Sequence, residues 1–225
     1  MRQRIGLLVP SSDTAIEVDL YRRLPEQFTL HTARMYLTTT TTAGEEKMLE
    51  EELVPAAHRL AAVLPGLTIF GCTSATTLNG LDGDAAVARH VASVVGSPCM
   101  TVVRAAVEEI QRLSPRNLLL VTPYVDGLNR RLRDTFLEAG LPVRDVVGMG
   151  LDSDLEIGAV TPEEIRRFVI GVARKATPRP DCVFVSCTTF RAFEAAEQLE
   201  RELATPVVTS NQCVLRSALR FMETL

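Results

Sequence analysis

Apolar residues in this chain fall into short, nearly continuous runs separated by stretches with helical spacing. The runs predict strands at Arg4–Val9, Thr29–Leu37, Leu67–Gly71, Asn117–Val121, Val143–Gly148, Cys182–Ser186 and Pro206–Thr209. Several are built almost wholly of Val, Ile and Leu, as strands covered on both faces are. Between them, Glu45–Leu64 places Met48, Leu49, Leu53, Leu60 and Leu64 at helix-like intervals, with Pro55 as a kink or break. Ala85–Val95, Ala105–Leu113 and Leu128–Ala139 follow the same period, and another helix carries Phe193, Ala196 and Leu199. Thr161-Pro162-Glu163-Glu164 reads as a capping box with Pro at the first helical position. Strands alternating with helices predict an α/β fold with parallel sheets.

The pattern also repeats. Leu7-Leu8-Val9-Pro10 resembles Leu119-Leu120-Val121-Thr122-Pro123, and aligning Pro10 with Pro123 gives an offset of 113 residues. Leu67–Thr73 resembles Cys182–Thr188, with Cys72 on Cys187 at an offset of 115. Two separate segments agreeing on one offset predict two Rossmann-like halves of the same topology, related by a pseudo-two-fold axis. The expected division is 1–97 plus 209–225 for the first half and 98–208 for the second. The period is far too long for a solenoid.

Composition narrows the function classes. Of 225 residues, 46% are hydrophobic and 23% charged, which is ordinary for a globular domain, and the net charge of −4 offers no basic stripe for nucleic acid. No apolar stretch approaches the roughly 20 residues needed to span a bilayer, and the apolar run Ile5–Pro10 is short for a signal peptide. Five well-spread cysteines form a poor disulfide framework and fit a reducing compartment, so a cytoplasmic location is expected. Three scattered histidines and no Cys-x-x-Cys pair give no reason to expect a metal. Gly148-Met149-Gly150 has Ser153 where a dinucleotide fingerprint needs its third glycine. A homo-oligomer is the default expectation for this size and class.

In open parallel sheets, ligands sit beyond the carboxyl ends of the strands. The segments there are Pro10–Thr14, Gly71–Thr76, Thr122–Tyr124 and Ser186–Thr189, two pairs related by the internal repeat. Gly71 followed by Cys72, Thr73 and Ser74 makes a small, hydroxyl-rich turn ahead of a helix, and Cys187 with Thr188 and Thr189 does the same in the second half. Free N–H groups at a helix start attract an anion and favour a thiolate, so both cysteines are expected to have lowered pKa values. Read singly, each is a small packing residue at a strand end. Read as a pair, they face one ligand from opposite sides, as proton abstraction and return require.

The segments Val9-Pro10-Ser11-Ser12-Asp13-Thr14, Gly71-Cys72-Thr73-Ser74, Thr122-Pro123-Tyr124 and Ser186-Cys187-Thr188 resemble the aspartate/glutamate racemase superfamily, most closely its maleate cis–trans isomerase and arylmalonate decarboxylase branch. The resemblance spans nearly the whole chain. It implies an active site between the halves, no metal, no organic cofactor and a small carboxylic acid as substrate. Cys72 would be nucleophile or base and Cys187 the acid/base. Tyr124 would hydrogen-bond a carboxylate, and Ser11, Ser12, Thr73, Ser74, Thr188 and Thr189 would form carboxylate cradles. In the decarboxylases the first cysteine position is not cysteine, so the pair favours an isomerase. A racemase or epimerase using the same thiols, a decarboxylase and a non-catalytic binding protein are the alternatives.

Two positions depart from the isomerase pattern, where Asn contacts substrate: here they are Asp13 and, on a softer alignment, Asp154. An amide donates to a carboxylate, whereas an ionised carboxyl repels it. Two like charges 4 Å apart cost about 4 kcal/mol at an effective dielectric near 20. Either Asp13 is protonated or paired with a cation, or the substrate is not maleate, or Asp13 turns away and caps a turn or helix.

Overall fold

The computed structural model describes residues 2–224. Eight strands form two four-stranded, wholly parallel sheets. In the first, β1 (Gln3–Pro10), β2 (Phe28–Met35), β3 (Leu67–Phe70) and β4 (Cys99–Thr101) run in the order β2-β1-β3-β4. In the second, β5 (Leu118–Tyr124), β6 (Val143–Leu151), β7 (Cys182–Val185) and β8 (Val207–Thr209) run in the order β6-β5-β7-β8. The two orders are the same, so the internal repeat in sequence is a repeat in topology. β4 pairs with β3, which carries the first sheet past residue 97, and β8 pairs with β7 in the second. β4 escaped the hydrophobic pattern because Cys99-Met100-Thr101 lacks the β-branched run that marked the equally short β8.

Alternate residues of β1 go to opposite sides, as pleated backbone requires. Ile5, Leu7 and Val9 join the large core shared with the second sheet. Leu8 joins a separate cluster with Met48, Leu53, Ala57 and Phe70, under the helices α2 (Thr42–Glu51), α3 (Leu53–Ala61) and α5 (Gly80–Val95). Helices α6 (Val102–Leu113) and α11 (Ser210–Met222) pack on each other and on strands of both sheets, tying the halves together. Among the described residues, no helix is long and apolar enough to cross a membrane.

The span Glu45–Leu64 is two helices rather than one. The chain breaks at Glu52, and Pro55 lies in the first turn of α3, where its missing N–H breaks no helical bond. The capping box at Thr161 is present: its hydroxyl accepts from Glu164 N and Glu164 Oε2 accepts from Thr161 N, opening α9 (Pro162–Lys175). Thr209 and Gln212 make a second box at the start of α11.

Phe136 of α7 (Asp126–Glu138) is fully buried against Phe184 of β7, with ring centroids 5.3 Å apart. Phe136→Ala should cost about 3–5 kcal/mol of stability, measured by urea unfolding. A loss below about 1 kcal/mol would show that this layer does not carry the core.

Candidate active site

The carboxyl ends of β3 and β7 place two equivalent turns face to face. After β3, Gly71 N donates to Leu8 O (2.7 Å), and after β7, Ser186 N donates to Val121 O (2.8 Å). Gly71 is required at its position, because a Cβ there would lie 2.9 Å from Leu7 Cδ1 and 3.0 Å from Leu8 O. The next residue in each turn is the cysteine. Cys72 keeps ordinary extended backbone (φ −142°), whereas Cys187 has φ of 100°, a left-handed conformation rare for any residue but glycine. The turns are stitched to each other. The Thr188 hydroxyl donates to Gly71 O (3.2 Å), and Ser210 Oγ accepts from Cys187 N (3.1 Å) and lies 3.3 Å from Thr73 Oγ1. Asn211 donates from one amide nitrogen to Thr188 O and to Asp19 Oδ2, holding the second turn against α1 (Ile16–Arg23).

Between the turns lies a small cavity of about 10 Å³, lined among others by Cys72, Thr73, Ser74, Tyr124, Asp154, Cys187, Thr188 and Thr189. That is room for about one water. Both cysteines are buried, at 5% and 6% exposure, and both are free thiols. Tyr124 is held by its backbone: its N–H donates to Thr122 Oγ1 (3.0 Å) and its carbonyl accepts from Asn129 Nδ2 (3.1 Å). Its phenol and the Cys187 thiol line the cavity together. A wider groove of about 360 Å³ opens at the far end of the first sheet, beside Pro98, Met100 and Phe221, and it gathers none of the candidate residues.

Ser11, Ser12 and Asp13 stand behind the cavity wall. Ser11 Oγ accepts from Leu37 N (3.2 Å), and Ser12 Oγ donates to Asp154 Oδ2 (2.8 Å). Asp13 turns away and caps α1, its Oδ1 accepting from Ala15 N (2.8 Å) and Ile16 N (3.1 Å). Asp154 does reach the cavity, at the start of the short helix α8 (Asp154–Ala159), and its second oxygen accepts from Thr40 Oγ1 (3.0 Å).

Burial sets the electrostatics. The expectation of lowered cysteine pKa values is corrected. Desolvation pushes the Cys72 thiol far above its usual value, and the neighbouring Glu45 adds to this. Burial likewise raises Cys187, with Asp154 adding. The helix after Cys72, α4 (Thr73–Thr76), is a single turn, too little dipole to offset loss of water. Desolvation also raises Asp154, and it raises Glu45 to about 8. No Lys, Arg or His lines the cavity. Among the described residues, no group of three or more His, Cys, Asp or Glu is placed to hold a metal ion.

Three groups at the site went unread in the sequence. Glu45 is fully buried, its three-residue spacing to Met48 putting it on the apolar stripe. Thr40, in the threonine run 38–42, is buried on Asp154. Ser210 joins the two turns.

A family model described as arylmalonate decarboxylase matches residues 5–224. A maleate isomerase of Geobacillus stearothermophilus is 24% identical over 234 residues, spanning 98% of this chain and 92% of that protein. An arylmalonate decarboxylase of Bordetella bronchiseptica is 25% identical over 216 residues, spanning 96% and 89%. A Nocardia farcinica maleate cis–trans isomerase mutant with a covalently bound succinylcysteine intermediate has the same fold, with a TM-score of 0.88 at 24% identity over 99% of this chain and 94% of that one.

Desolvation raises the Asp13 carboxyl from 3.8 to about 6. The folded state therefore holds this proton more tightly than the unfolded chain. The stability it contributes is complete below about pH 3.8 and is lost as pH rises through about 6. Asp13→Asn keeps an oxygen for both capping bonds and cannot ionise. Its melting temperature, compared with wild type by calorimetry, should gain steadily from pH 4 to pH 7, by on the order of 3 kcal/mol in stability. A difference that stays flat across that range would mean that Asp13 ionises as readily in the fold as in the unfolded chain.

Proposed function

The chain belongs to the arylmalonate decarboxylase family, and on that premise we propose that it is a cofactor-independent, cysteine-dependent isomerase of a small carboxylic acid, of the maleate cis–trans type. The observation that carries this reading is the pair of thiols, supplied from equivalent turns of two like halves, lining one closed cavity. The Cys72 thiolate adds to the carbon–carbon double bond, and Cys187 gives a proton to the carbanion that forms. The adduct turns about what is now a single bond. Cys187 then takes the proton back, and the thiolate leaves as the trans double bond re-forms. The N–H groups of Thr73, Ser74, Thr188 and Thr189, with the hydroxyls of Thr73, Thr189 and Tyr124, hold the carboxylate and the charge that develops on it.

Decarboxylation fits less well, because it needs one proton donor and leaves the second thiol idle. Racemisation by the same pair, one thiol taking the α-proton and the other returning it, is the reading to separate experimentally. It washes deuterium from D₂O into the substrate and forms no sulfur–carbon bond. The proposal also places the protein in the cytoplasm, where five free thiols persist, as a homo-oligomer.

With maleate as the first substrate offered, Cys72→Ser and Cys187→Ser should each lose at least about a hundredfold in kcat/KM. In Cys187→Ser, mass spectrometry should find the mass of the acid added to Cys72. Full activity in both variants, on any acid that wild type isomerises, would end the two-thiol reading.

A further inference from the structure

Cys72 poses a problem for any reaction that needs its thiolate. It is buried, it lines a cavity without a cation, and acids surround it. Water cannot remove its proton cheaply, so a base must lie within the wall.

The wall supplies one. Ser74 Oγ donates a short hydrogen bond to Glu45 Oε1 and lies 3.8 Å from Cys72 Sγ. A serine hydroxyl has one proton, and when Glu45 is ionised Ser74 gives it to the carboxylate. In that state the sulfur donates in the contact with Cys72 and Ser74 accepts. The three groups form a directed wire, Sγ–H to Oγ–H to carboxylate. The other oxygen, Glu45 Oε2, is buried with no hydrogen-bond partner. A carboxylate denied water and given one donor is a strong base.

We infer that Glu45 is the base that ionises Cys72, through Ser74. The Sγ–H bond breaks and its proton passes to Ser74 Oγ, while the hydroxyl proton of Ser74 passes to Glu45 Oε1. The negative charge moves from carboxylate to sulfur. The charge of the cavity is unchanged, so the step needs neither a cation nor a co-reactant, and it leaves Glu45 neutral before an anionic substrate binds beside it. Glu45 is directed inward by its turn. Thr41 Oγ1 accepts from Gly44 N (3.3 Å), and Gly44 lies so close to Thr39 that a Cβ there would overlap the Thr39 carbonyl. The titratable groups facing Glu45 from other elements are Cys72, Asp154 of α8 and Tyr124 of β5. Burial is the largest influence on Glu45, the Ser74 bond opposes it, and Asp154 adds to it.

The relay rests on Cys72 being the nucleophile of the proposed reaction, but its test does not require turnover. Full-length protein is treated with iodoacetamide across pH 6–10, and the alkylation of Cys72 and of Cys187 is read separately by peptide mass spectrometry. In wild type, the Cys72 rate should rise through a midpoint near pH 8, where Glu45 becomes a carboxylate. In Glu45→Gln, the midpoint should move up by more than one pH unit, slowing Cys72 at pH 8.5 by at least about tenfold. Ser74→Ala, which cuts the wire and leaves the base, should do the same. Cys187, whose surroundings are Asp154, Tyr124, Asp13 and Thr189, should keep its wild-type profile in both variants. An unmoved Cys72 midpoint in either variant overturns the relay. So does an equal slowing of Cys187, since the loss would then be one of packing. A shifted Cys72 profile in a protein that isomerises no acid supports the relay and sinks only the proposed function.

Discussion

Removal of water from ionisable groups is the constraint on which this structure depends. Cys72, Cys187, Glu45, Asp154 and Tyr124 converge on one small cavity, and burial is the largest influence on the pKa of every one of them. All five are acids, and no basic side chain lines the space to offset their charge. The low-energy state of such a cluster is the protonated one, so proton movements inside it must conserve charge. That condition favours chemistry in which a proton is exchanged between neighbours rather than delivered to solvent.

The fold meets the constraint by bringing two sheets together at their carboxyl ends. Each half contributes a strand, a sharp turn and a cysteine, and neither half closes the cavity alone. The closure is made by groups that cross between them: Thr188 onto Gly71, and Ser210 between Cys187 and Thr73. The strained backbone at Cys187 belongs to this arrangement, with its N–H taken by Ser210. Like halves thus give unlike turns. Cys72 has the hydroxyl of Ser74 beside it, and Cys187 has the phenol of Tyr124. The asymmetry suits a reaction in which one thiol attacks carbon and the other handles a proton.

Much of this was legible in the chain itself. Nearly continuous Val, Ile and Leu runs mark strands that both sheets bury, and the repeated segments around Pro10 and Pro123 and around Cys72 and Cys187 mark two halves of one topology. β4 and α4 went unread because Cys99–Thr101 and Thr73–Thr76 carry no Val/Ile/Leu run of the kind that marked the equally short β3, β7 and β8. The cysteine pair, Tyr124 and the hydroxyl-rich turns stand out by position alone, since the carboxyl end of a parallel strand is where side chains can meet a ligand.

What the sequence alone determined is the alternation, the duplication and the residues at the strand ends, because these follow from local periodicity and from identity at a fixed offset. Only the tertiary structure decided that Glu45 and Thr40 face inward, that Asp13 caps α1, and that the thiols are raised rather than lowered. The reason is the same in each case. Local sequence shows which groups can ionise and hydrogen-bond. Whether water reaches them depends on what packs above them, and those covering groups come from segments far along the chain.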